Sequence, residues 1–316
     1  MSISPSQPAI VIGGTIAIDH VKTPEAEAAN LLGGSAAYAA LAASFFSKPV
    51  HLIGIIGCDF PQEHLEMLTR FGVTLDGVER SSHESFTWSG EYHENMNDRT
   101  TLRVGLNVLE NWQVKVPATA AASEIVVLAN MSPENQLEML RQCQAIDRSH
   151  GNRFVIADTM DLWISIANEK LHEVLPHLDL FVLNEGEARD LTGSKNLVKA
   201  GKLILEKGPR HVIIKLGEFG AILFSATGEI FRSSAYPLDH VMDPTGAGDS
   251  FLGGLAGYLA AGGTTDVKAE DLRKAVIHAS VLASFTCEAF STHGLERIAD
   301  GAVAARLAKF EEFTRW

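Results

Sequence analysis

The sequence predicts an α/β protein with a doubly wound, mostly parallel central sheet flanked by helices. Short runs rich in Val, Ile and Leu recur along the chain, which is typical of strands buried on both faces. Segments of helical composition separate these runs, and strand alternating with helix is the pattern of a parallel sheet covered on both sides. Each run stops at a glycine or a small polar residue. The five runs are AIVIGG (9–14), EIVVLAN (124–130), RFVIAD (153–158), LFVLN (180–184) and HVIIKLG (211–217).

The clearest of the intervening helices is predicted over residues 132–151. Ser132 has the side chain of a helix N-cap, and Gly151 is a residue type at which helices commonly stop. The segment lies between two of the apolar runs. It therefore completes one strand–helix–strand unit of the predicted fold.

The residues that end the predicted strands indicate the rim of a cleft. In open parallel sheets, ligands gather outside the carboxyl ends of the strands. Asn130, Asp158, Asn184 and Gly217 occupy those places in this sequence. Asn130 and Asp158 are therefore candidate substrate-binding residues, although each is also an ordinary residue for the start of a loop.

One region breaks the alternation of strand and helix. In residues 85–108, the aromatic residues Phe86, Trp88 and Tyr92 are followed by the polar turn NMND and by a second run of alternating apolar residues. This pattern predicts a hairpin with one apolar face. Residues 15–32 are also predicted to be extended, so the two segments would form a small sheet that serves as a lid or a dimer surface. The alternative is an extension of one edge of the main sheet.

Length, composition and charge exclude several classes of protein. The chain has 316 residues, of which 46% are hydrophobic and 21% are charged, which is the balance of a soluble globular protein. The formal charge of −13 argues against nucleic acid and anionic membranes as partners. Three separated cysteines without a CxxC pair indicate neither a disulfide framework nor a zinc site. Without a signal peptide or an apolar run of roughly 18 residues, the expected location is the cytoplasm.

The stretch DPTGAGDSF (243–251) carries the most specific prediction of chemistry. The helical composition after it places Gly246, Ala247 and Gly248 at a helix N-terminus, where free N–H groups and the helix dipole bind anions such as phosphate. A base at Asp249 would take a proton from a hydroxyl group while these N–H groups receive a phosphoryl group. The alternative for Asp249 is a carboxylate that only complements the helix dipole.

Three glycines lie inside the same predicted helix. Gly253, Gly254 and Gly257 each cost about 1 kcal/mol of helix stability relative to alanine. Close packing must offset that cost. We therefore expect a neighbouring element to pack tightly against this helix.

Other functional classes fit the sequence less well. A nicotinamide dehydrogenase requires G-x-G-x-x-G after its first strand, whereas GGTIAI (13–18) lacks the third glycine. A P-loop kinase requires G-x-x-x-x-G-K-[ST], which does not occur in the sequence. A non-catalytic metabolite sensor is a further alternative, but a sensor has no need of Asp249 beside an anion hole.

Several motifs together resemble those of the ribokinase-like, or PfkB, carbohydrate kinases. DPTGAGDSF resembles the C-terminal signature of that family. LLGGSAAYAALAA (31–43) resembles the N-terminal signature, with Gly33 and Gly34 as its glycine pair. NEGE (184–187) resembles the N-x-x-E motif of the family, and KLGEFGA (215–221) resembles its strand and glycine turn beside the nucleotide.

The resemblance covers about residues 10–300, nearly the whole chain. It implies a single ribokinase-like domain over residues 1–316, with a lid formed by about 15–32 and 85–108. It also implies a kinase that uses ATP and Mg²⁺ to phosphorylate a small hydroxylated metabolite. From the apolar face of the hairpin we expect a homodimer joined through the lid.

The resemblance also assigns roles at the predicted anion hole. Asp249 resembles the catalytic base, and Gly246 to Gly248 would receive the phosphoryl group. Asn184 and Glu187 would act around Mg²⁺ and the nucleotide phosphates, with Glu187 reaching the metal through water because Mg²⁺ keeps several of its waters. Helix capping is an alternative role for this pair and is compatible with the first.

The remaining assignments concern the nucleotide and the acceptor. The segments 215–220 and 278–282 would flank the adenine and the ribose. The residues implied to bind ATP are Asn184, Glu187, Lys215, Gly217, Gly220, Thr245, His278 and Ser280. The residues that the resemblance implies to bind the acceptor are Asp19, Gly33 and Gly34, and the strand ends add Asn130 and Asp158 as candidates.

Three departures from the family pattern bear on substrate and cation. Pro244 stands where many members have threonine. The glycine pair is followed by SAAY, whereas ribokinases proper carry Lys-Gly-Ala-Asn, so ribose is not the favoured acceptor. A sugar, a nucleoside and a cyclitol all stay open. A monovalent cation such as K⁺ would bind at Asp243 and Thr245, but the adjoining loop TCEAFSTHG (286–294) matches the family poorly.

Overall fold

A computed structural model describes residues 8–146 and 153–315. Its strands form a nine-stranded sheet in the order β13-β12-β11-β10-β9-β8-β1-β4-β5 and a four-stranded sheet in the order β3-β2-β6-β7. The strands are β1 (Ile10–Gly13), β2 (Ala17–Lys22), β3 (Glu27–Gly33), β4 (Val50–Ile56), β5 (Val73–Arg80), β6 (Thr87–Tyr92), β7 (Arg99–Gly105), β8 (Ile125–Leu128), β9 (Phe154–Asp158), β10 (Leu180–Asn184), β11 (His211–Lys215), β12 (Ala221–Ser225) and β13 (Ile230–Ser233).

The helices connect these strands and cover the larger sheet. Short 3₁₀ turns occupy Asn107–Leu109, Leu175–His177 and Gly217–Phe219. Over the described ranges, none of the helices combines the length and the apolar character that a bilayer crossing requires. The α-helices are α1 (Ser35–Ala43), α2 (Gln62–Arg70), α3 (Ala118–Ala121), α4 (Pro133–Gln142), α5 (Asp161–Ile166), α6 (Asn168–Val174), α7 (Glu185–Thr192), α8 (Leu197–Leu205), α9 (Ala247–Ala261), α10 (Ala269–Thr286), α11 (His293–Glu296) and α12 (Ala302–Thr314).

The prediction of a doubly wound, mostly parallel sheet is confirmed. All neighbouring strands from β11 to β5 pair in parallel, and only β12 and β13 are antiparallel additions at one edge. Within β1, Ile10 and Ile12 enter one apolar cluster together with residues of α1, α9 and α10. Val11 enters a second cluster with residues of α4, α6 and α8. The sheet therefore separates two cores, because successive side chains of a strand point to opposite faces.

The prediction of a separate small sheet is also confirmed, and the alternative of an extended main sheet is wrong. In this second sheet, which we call the lid, β2 pairs in parallel with β6, and the outer strands β3 and β7 pair antiparallel. Tyr92 is buried against Val21 and Leu31. The predicted apolar face continues on β7 in Leu102 and Val104, but these side chains are 56% and 50% exposed.

The helix predicted over 132–151 begins where the sequence predicts and ends earlier. The Ser132 side chain accepts a hydrogen bond from the Asn135 N–H group, so Ser132 is the N-cap. The helix ends at Gln142, and Gln144 has a left-handed backbone with φ 53°. Gly151, the predicted stop, lies outside the described residues.

The glycines of α9 explain how this helix packs. A Cβ atom added to Gly253 would lie 2.0 Å from the Ala39 carbonyl oxygen, and one added to Gly257 would lie 2.5 Å from the Ala43 carbonyl oxygen. The backbone of α1 thus runs directly against α9. This contact fixes the start of α9 relative to the start of α1 at Ser35.

Alanine at the three glycines of α9 is expected to destabilise the protein in a defined order. Gly253→Ala should lower the free energy of unfolding by about 2 kcal/mol or more, because overpacking against a backbone outweighs the gain of about 1 kcal/mol in helix propensity. Gly257→Ala should have a smaller effect. At Gly254 the nearest atom would be 3.3 Å away, in Ala279, so its alanine variant should stay within about 1 kcal/mol of wild type. Urea unfolding of the three variants checks the order, and equal stabilities would contradict the packing.

Candidate active site

The first turn of α9 presents unpaired backbone N–H groups. Gly246 is the N-cap with φ 77°, and the ring of Tyr38 lies so close beneath it that an added Cβ would be 2.4 Å from ring carbons. The Ala247 N–H group donates to the Pro244 carbonyl. The N–H groups of Gly246, Gly248 and Asp249 have no acceptor among the described residues. Such N–H groups can bind an anion through the backbone, and residues 246–249 are called the anion-binding turn below.

The turn that leads into α9 is held by the carboxylate of Asp243. Asp243 is fully buried, and its two oxygens accept hydrogen bonds from the N–H groups of Thr245 (2.8 Å) and Ser291 (3.3 Å). The Cys287 carbonyl accepts the N–H groups of Met242 and Asp243. The loop 286–294 therefore packs against the anion-binding turn, which brings together the two segments predicted to hold a monovalent cation.

Asp249 lies in the same turn as the free N–H groups. Burial raises the pKa of its carboxyl group, while the positive charges of Lys215 and Arg99 oppose that rise. A raised pKa lies closer to neutral pH, where a carboxylate is a more effective proton acceptor. The carboxylate and the anion-binding N–H groups are thus within one helical turn, as general-base catalysis of phosphoryl transfer requires.

Two further carboxylates lie near this turn, Asp158 at the end of β9 and Glu187 in the first turn of α7. Asp158 ends β9, is 4% exposed, and its Oδ1 atom has no hydrogen-bond partner among the described residues. Burial and the negative charges of Asp249 and Glu187 raise the pKa of Asp158 well above its ordinary value. Asn184 and Glu187 form a capping box at the start of α7, with hydrogen bonds of 2.9 and 2.8 Å. This pair therefore caps the helix, and only one of the two carboxylate oxygens of Glu187 takes part in the capping.

The predicted nucleotide turn follows β11. Gly217 and Gly220 have φ angles of 57° and 93°, and a Cβ at Gly220 would lie 2.0 Å from the Ser233 carbonyl oxygen, so only glycine fits there. The lid reaches this turn, because the Asn97 amide donates a hydrogen bond to Glu218 (3.1 Å). Lys215 does not join the turn: its side chain extends to Gly248 instead.

The predicted acceptor residues Asp19, Gly33 and Gly34 lie together. A Cβ at Gly33 would lie 2.1 Å from the Asp19 carboxyl carbon, and Gly34, with φ 92°, is the N-cap of α1. Asp19 is 5% exposed, and its Oδ1 atom has no hydrogen-bond partner in the described part of the chain. Burial, and then the charges of Asp243 and Asp249, raise the pKa of Asp19 to about 8. An unsatisfied buried carboxylate is costly, which is characteristic of a binding site.

Asn130 is placed in a separate polar contact. Its side-chain oxygen accepts a hydrogen bond from the Trp163 indole (2.7 Å), and its amide nitrogen lies 3.3 Å from the Met160 sulfur. Its carbonyl accepts the Ser35 hydroxyl at the start of α1. Asn130 therefore borders the cleft from β8, and Trp163 joins it as a residue that the sequence did not single out.

The lid contributes side chains that sequence reasoning missed. The Thr245 hydroxyl donates to the hydroxyl oxygen of Tyr92 (3.2 Å), so the lid touches the anion-binding turn directly. The Arg99 guanidinium lies 5.7 Å from the centre of the Trp88 ring, and its charge acts on Asp249. A single arginine in a polar turn gives no recognisable signal in one sequence. The sequence pattern shows that Trp88 and Tyr92 alternate, but it does not show which residues contact them.

His278 and Ser280 lie on α10 away from this turn. The His278 ring stacks on Tyr258 with ring centres 4.0 Å apart and has an edge contact with Phe46. The Ser280 hydroxyl donates to the Val276 carbonyl of its own helix. These contacts account for both side chains as packing residues, so their assignment to the nucleotide stays a prediction.

One family of known proteins matches the sequence over most of its length. The sequence profile of the pfkB family carbohydrate kinases matches residues 10–297. Among individual relatives, a cytidine kinase from Thermococcus kodakarensis is 26% identical over 252 residues, which is 79% of this chain and 88% of the relative.

Solved structures of similar fold span nearly the whole chain. A ribokinase from Cryptococcus neoformans var. grubii in complex with ADP has a TM-score of 0.76 at 22% identity, covering 95% of this chain and all of its own. A protein from E. coli, provisionally named ribokinase II and crystallised with ATP and Mg²⁺, has a TM-score of 0.74 at 19% identity, covering 97% of this chain and 98% of its own. At these identities the likeness concerns the fold.

Proposed function

The chain belongs to the pfkB family of carbohydrate kinases, which are phosphotransferases acting on hydroxyl groups, and from that premise we propose that it transfers the γ-phosphoryl group of ATP to a small sugar-like acceptor. The observation that carries this proposal is the first turn of α9. There the free N–H groups of Gly246 and Gly248 and the carboxylate of Asp249 lie within one helical turn.

Each part of that turn has a distinct task in the reaction. The Asp249 carboxylate accepts the proton of the acceptor hydroxyl, whose oxygen attacks the γ-phosphorus atom. The bond between that phosphorus and the bridging oxygen breaks, and its electron pair stays on ADP. The N–H groups of Gly246 and Gly248 donate hydrogen bonds to the phosphoryl oxygens as their charge is redistributed.

The residues around the turn fit a nucleotide with Mg²⁺ held mainly through water and phosphate. In the described part of the chain, no three His, Cys, Asp or Glu side chains form a metal cluster. The unpartnered Asp158 Oδ1 atom and the Glu187 oxygen outside the capping box would accept hydrogen bonds from the waters that a bound Mg²⁺ retains. When bound, Mg²⁺ neutralises phosphate charge. The ADP complex of the ribokinase and the ATP–Mg²⁺ complex of the E. coli protein support this assignment.

The acceptor site is acidic, which favours an uncharged acceptor. Asp19 lies on β2 of the lid, and the negative charges of Asp243 and Asp249 act on it. A carboxylate is suited to accept hydrogen bonds from hydroxyl groups and repels an acceptor that already carries a phosphate. The names of the relatives support both a nucleoside and a sugar, since one is a cytidine kinase and another a ribokinase.

Release of ADP across a panel of acceptors tests the proposed function. Purified protein with Mg-ATP should release ADP in the presence of at least one pentose, hexose, nucleoside or cyclitol, at a rate that saturates with acceptor concentration. A phosphorylated sugar serves as the matched negative control. If nucleotide binds but no acceptor raises ADP release above background, the result would contradict the proposed function and favour a non-catalytic sensor.

We also propose that the lid joins two copies of the chain. Leu102 and Val104 alternate along β7, an edge strand of the lid, and Leu106 follows directly after the end of that strand; all three side chains are about half exposed. A row of exposed apolar side chains on an edge strand is a surface that proteins normally cover. A second copy presents the same row, so the two lids are self-complementary.

Disrupting this row should change the oligomeric state. Leu102→Glu is expected to convert a dimer into a monomer in light scattering coupled to gel filtration, because burying a carboxylate in an apolar contact is costly. Ile166→Glu is the matched control, since Ile166 is 67% exposed on α5, outside the lid. A monomeric wild-type protein, or a Leu102→Glu variant that stays dimeric, would contradict the lid interface. The monovalent cation at Asp243 and Thr245 stays a prediction.

A further inference from the structure

Lys215 occupies a place that the general roles described above do not explain. It is the last residue of β11, paired with Asn184 on β10 and Ala221 on β12, so it lies at the carboxyl edge of the sheet. A Cβ atom added to Gly248 would lie 2.9 Å from the Lys215 Nζ atom. The ammonium group therefore stands directly over the backbone of the anion-binding turn, and the glycine leaves room for it.

The ammonium group of Lys215 stands unpaired among the residues that the structure describes. Within the described ranges, Lys215 forms no hydrogen bond and no ion pair, although its side chain is half-buried. Its charge nevertheless acts on three carboxyl groups, lowering the pKa of Asp158, Glu187 and Asp249 against the effect of burial. A cation placed among three carboxylates without pairing to any of them is free to donate all three of its hydrogens to a ligand.

The electrostatics of the site require such a cation. A triphosphate bound at Gly246–Gly248 brings its negative charge among the carboxylates of Asp158, Glu187 and Asp249. Arg99 is the other cation whose charge reaches Asp249, but its guanidinium is exposed and lies over Trp88. Lys215 is anchored by a strand of the sheet, so its position is more strongly fixed than that of a side chain on the lid.

We propose that Lys215 is a catalytic residue whose ammonium group binds the transferring phosphoryl group together with the N–H groups of Gly246 and Gly248. This assignment rests on the proposed function. Lys215 keeps its protons throughout the reaction: the proton of the acceptor hydroxyl goes to Asp249, and the electron pair of the broken bond goes to ADP. The ammonium group donates charge-assisted hydrogen bonds to the phosphoryl oxygens, and such bonds are about twice as strong as neutral ones.

If Lys215 binds the transferring phosphoryl group, its substitution should affect the binding of that group much more than the binding of the nucleotide alone. ADP lacks the γ-phosphoryl group, so its binding should depend little on Lys215. ADP with aluminium fluoride, a mimic of the phosphoryl group in transfer, should depend on it strongly, because the charge of the mimic occupies the anion-binding turn.

Calorimetric titration of Lys215→Met tests the assignment without an acceptor. In the wild-type protein with Mg²⁺, aluminium fluoride should tighten ADP binding. The Lys215→Met variant should lose about 10²-fold in affinity for ADP with aluminium fluoride and stay within about threefold of wild type for ADP alone. Lys202→Met is the matched control, because Lys202 is an exposed lysine on α8, and it should change neither affinity.

Two results would overturn the assignment. The first is a Lys215→Met variant in which aluminium fluoride tightens ADP binding as much as in wild type. The second is an equal loss of affinity for ADP with and without the fluoride, which would make Lys215 a general nucleotide contact. Neither result depends on phosphorylation of an acceptor, so failure of this assignment is distinguishable from failure of the proposed function.

Discussion

Asp249→Asn should reduce kcat for the acceptor by about 10³-fold or more while ADP still binds. The substitution keeps the size of the side chain and removes its ability to take the hydroxyl proton, and general-base catalysis is commonly worth 10²- to 10⁴-fold. The backbone N–H groups of Gly246 and Gly248 are unchanged, so the anion-binding turn persists. Steady-state kinetics at saturating acceptor, together with calorimetric titration of ADP, measure the two properties separately.

The control for this variant is Asp300→Asn. Asp300 is an exposed aspartate between α11 and α12, outside the site, and its amide variant should retain wild-type kcat. Normal turnover in the Asp249→Asn protein would exclude Asp249 as the base. Loss of ADP binding along with turnover would indicate that the substitution had damaged the turn rather than the chemistry.

Asp19→Asn should lower kcat/KM for the acceptor and at the same time raise the free energy of unfolding. A carboxylate that accepts hydrogen bonds from two hydroxyl groups contributes about 1.5 kcal/mol through each hydrogen bond. Its loss should therefore lower kcat/KM for the acceptor about 10²-fold. In wild type this parameter should rise with pH through about 8, where Asp19 becomes ionised. The asparagine variant has no such ionisation, so the rise near pH 8 should disappear.

The stability effect follows from the same ionisation. Asp19 has its pKa raised from an ordinary value of 3.8 to about 8, so between these pH values the folded chain holds a proton that the unfolded chain releases. The proton that Asp19 holds in the folded chain therefore stabilises the protein in full below pH 3.8, and this stabilisation is lost as the pH rises through 8. Asp19→Asn should therefore exceed wild type in free energy of unfolding at pH 8, by on the order of a few kcal/mol, and by little at pH 4. Urea unfolding at both pH values checks this, and a variant less stable than wild type at pH 8 would contradict it.

The parts of the fold that a single sequence revealed are those with strong local patterns. The five predicted runs all contain strands of the main sheet, because both faces of those strands are buried and their residues are almost uniformly apolar. β5 was not predicted, since its polar Thr74, Asp76 and Glu79 interrupt any apolar run. β13 is the edge strand of the sheet, and its mixed pattern, in which Ile230 and Arg232 are exposed, gives no apolar run to recognise.

The site was predictable where the backbone carries the chemistry. Glycines and a following helix predict an anion-binding turn from local sequence alone, and Asp249 is adjacent to it. The partners of that turn come from distant segments: Tyr38 from α1, Tyr92 from the lid and Lys215 from β11. Their approach depends on the close contact of α1 with α9 and on the order of strands in the sheet, which no local pattern specifies. Lys215 was assigned to the nucleotide turn from its neighbours in sequence, whereas its side chain extends to Gly248.

Phosphorus NMR of the complete reaction tests the central claim most directly. The sample would contain the protein, Mg-ATP and the acceptor that gives the highest rate of ADP release. Transfer to the acceptor predicts that the three phosphorus resonances of ATP are replaced by the two of ADP and, in equal molar amount, by that of a phosphate monoester coupled to a carbon-bound proton of the acceptor. Appearance of ADP with inorganic phosphate alone would contradict the account, because the phosphoryl group would then have passed to water and not to the acceptor hydroxyl.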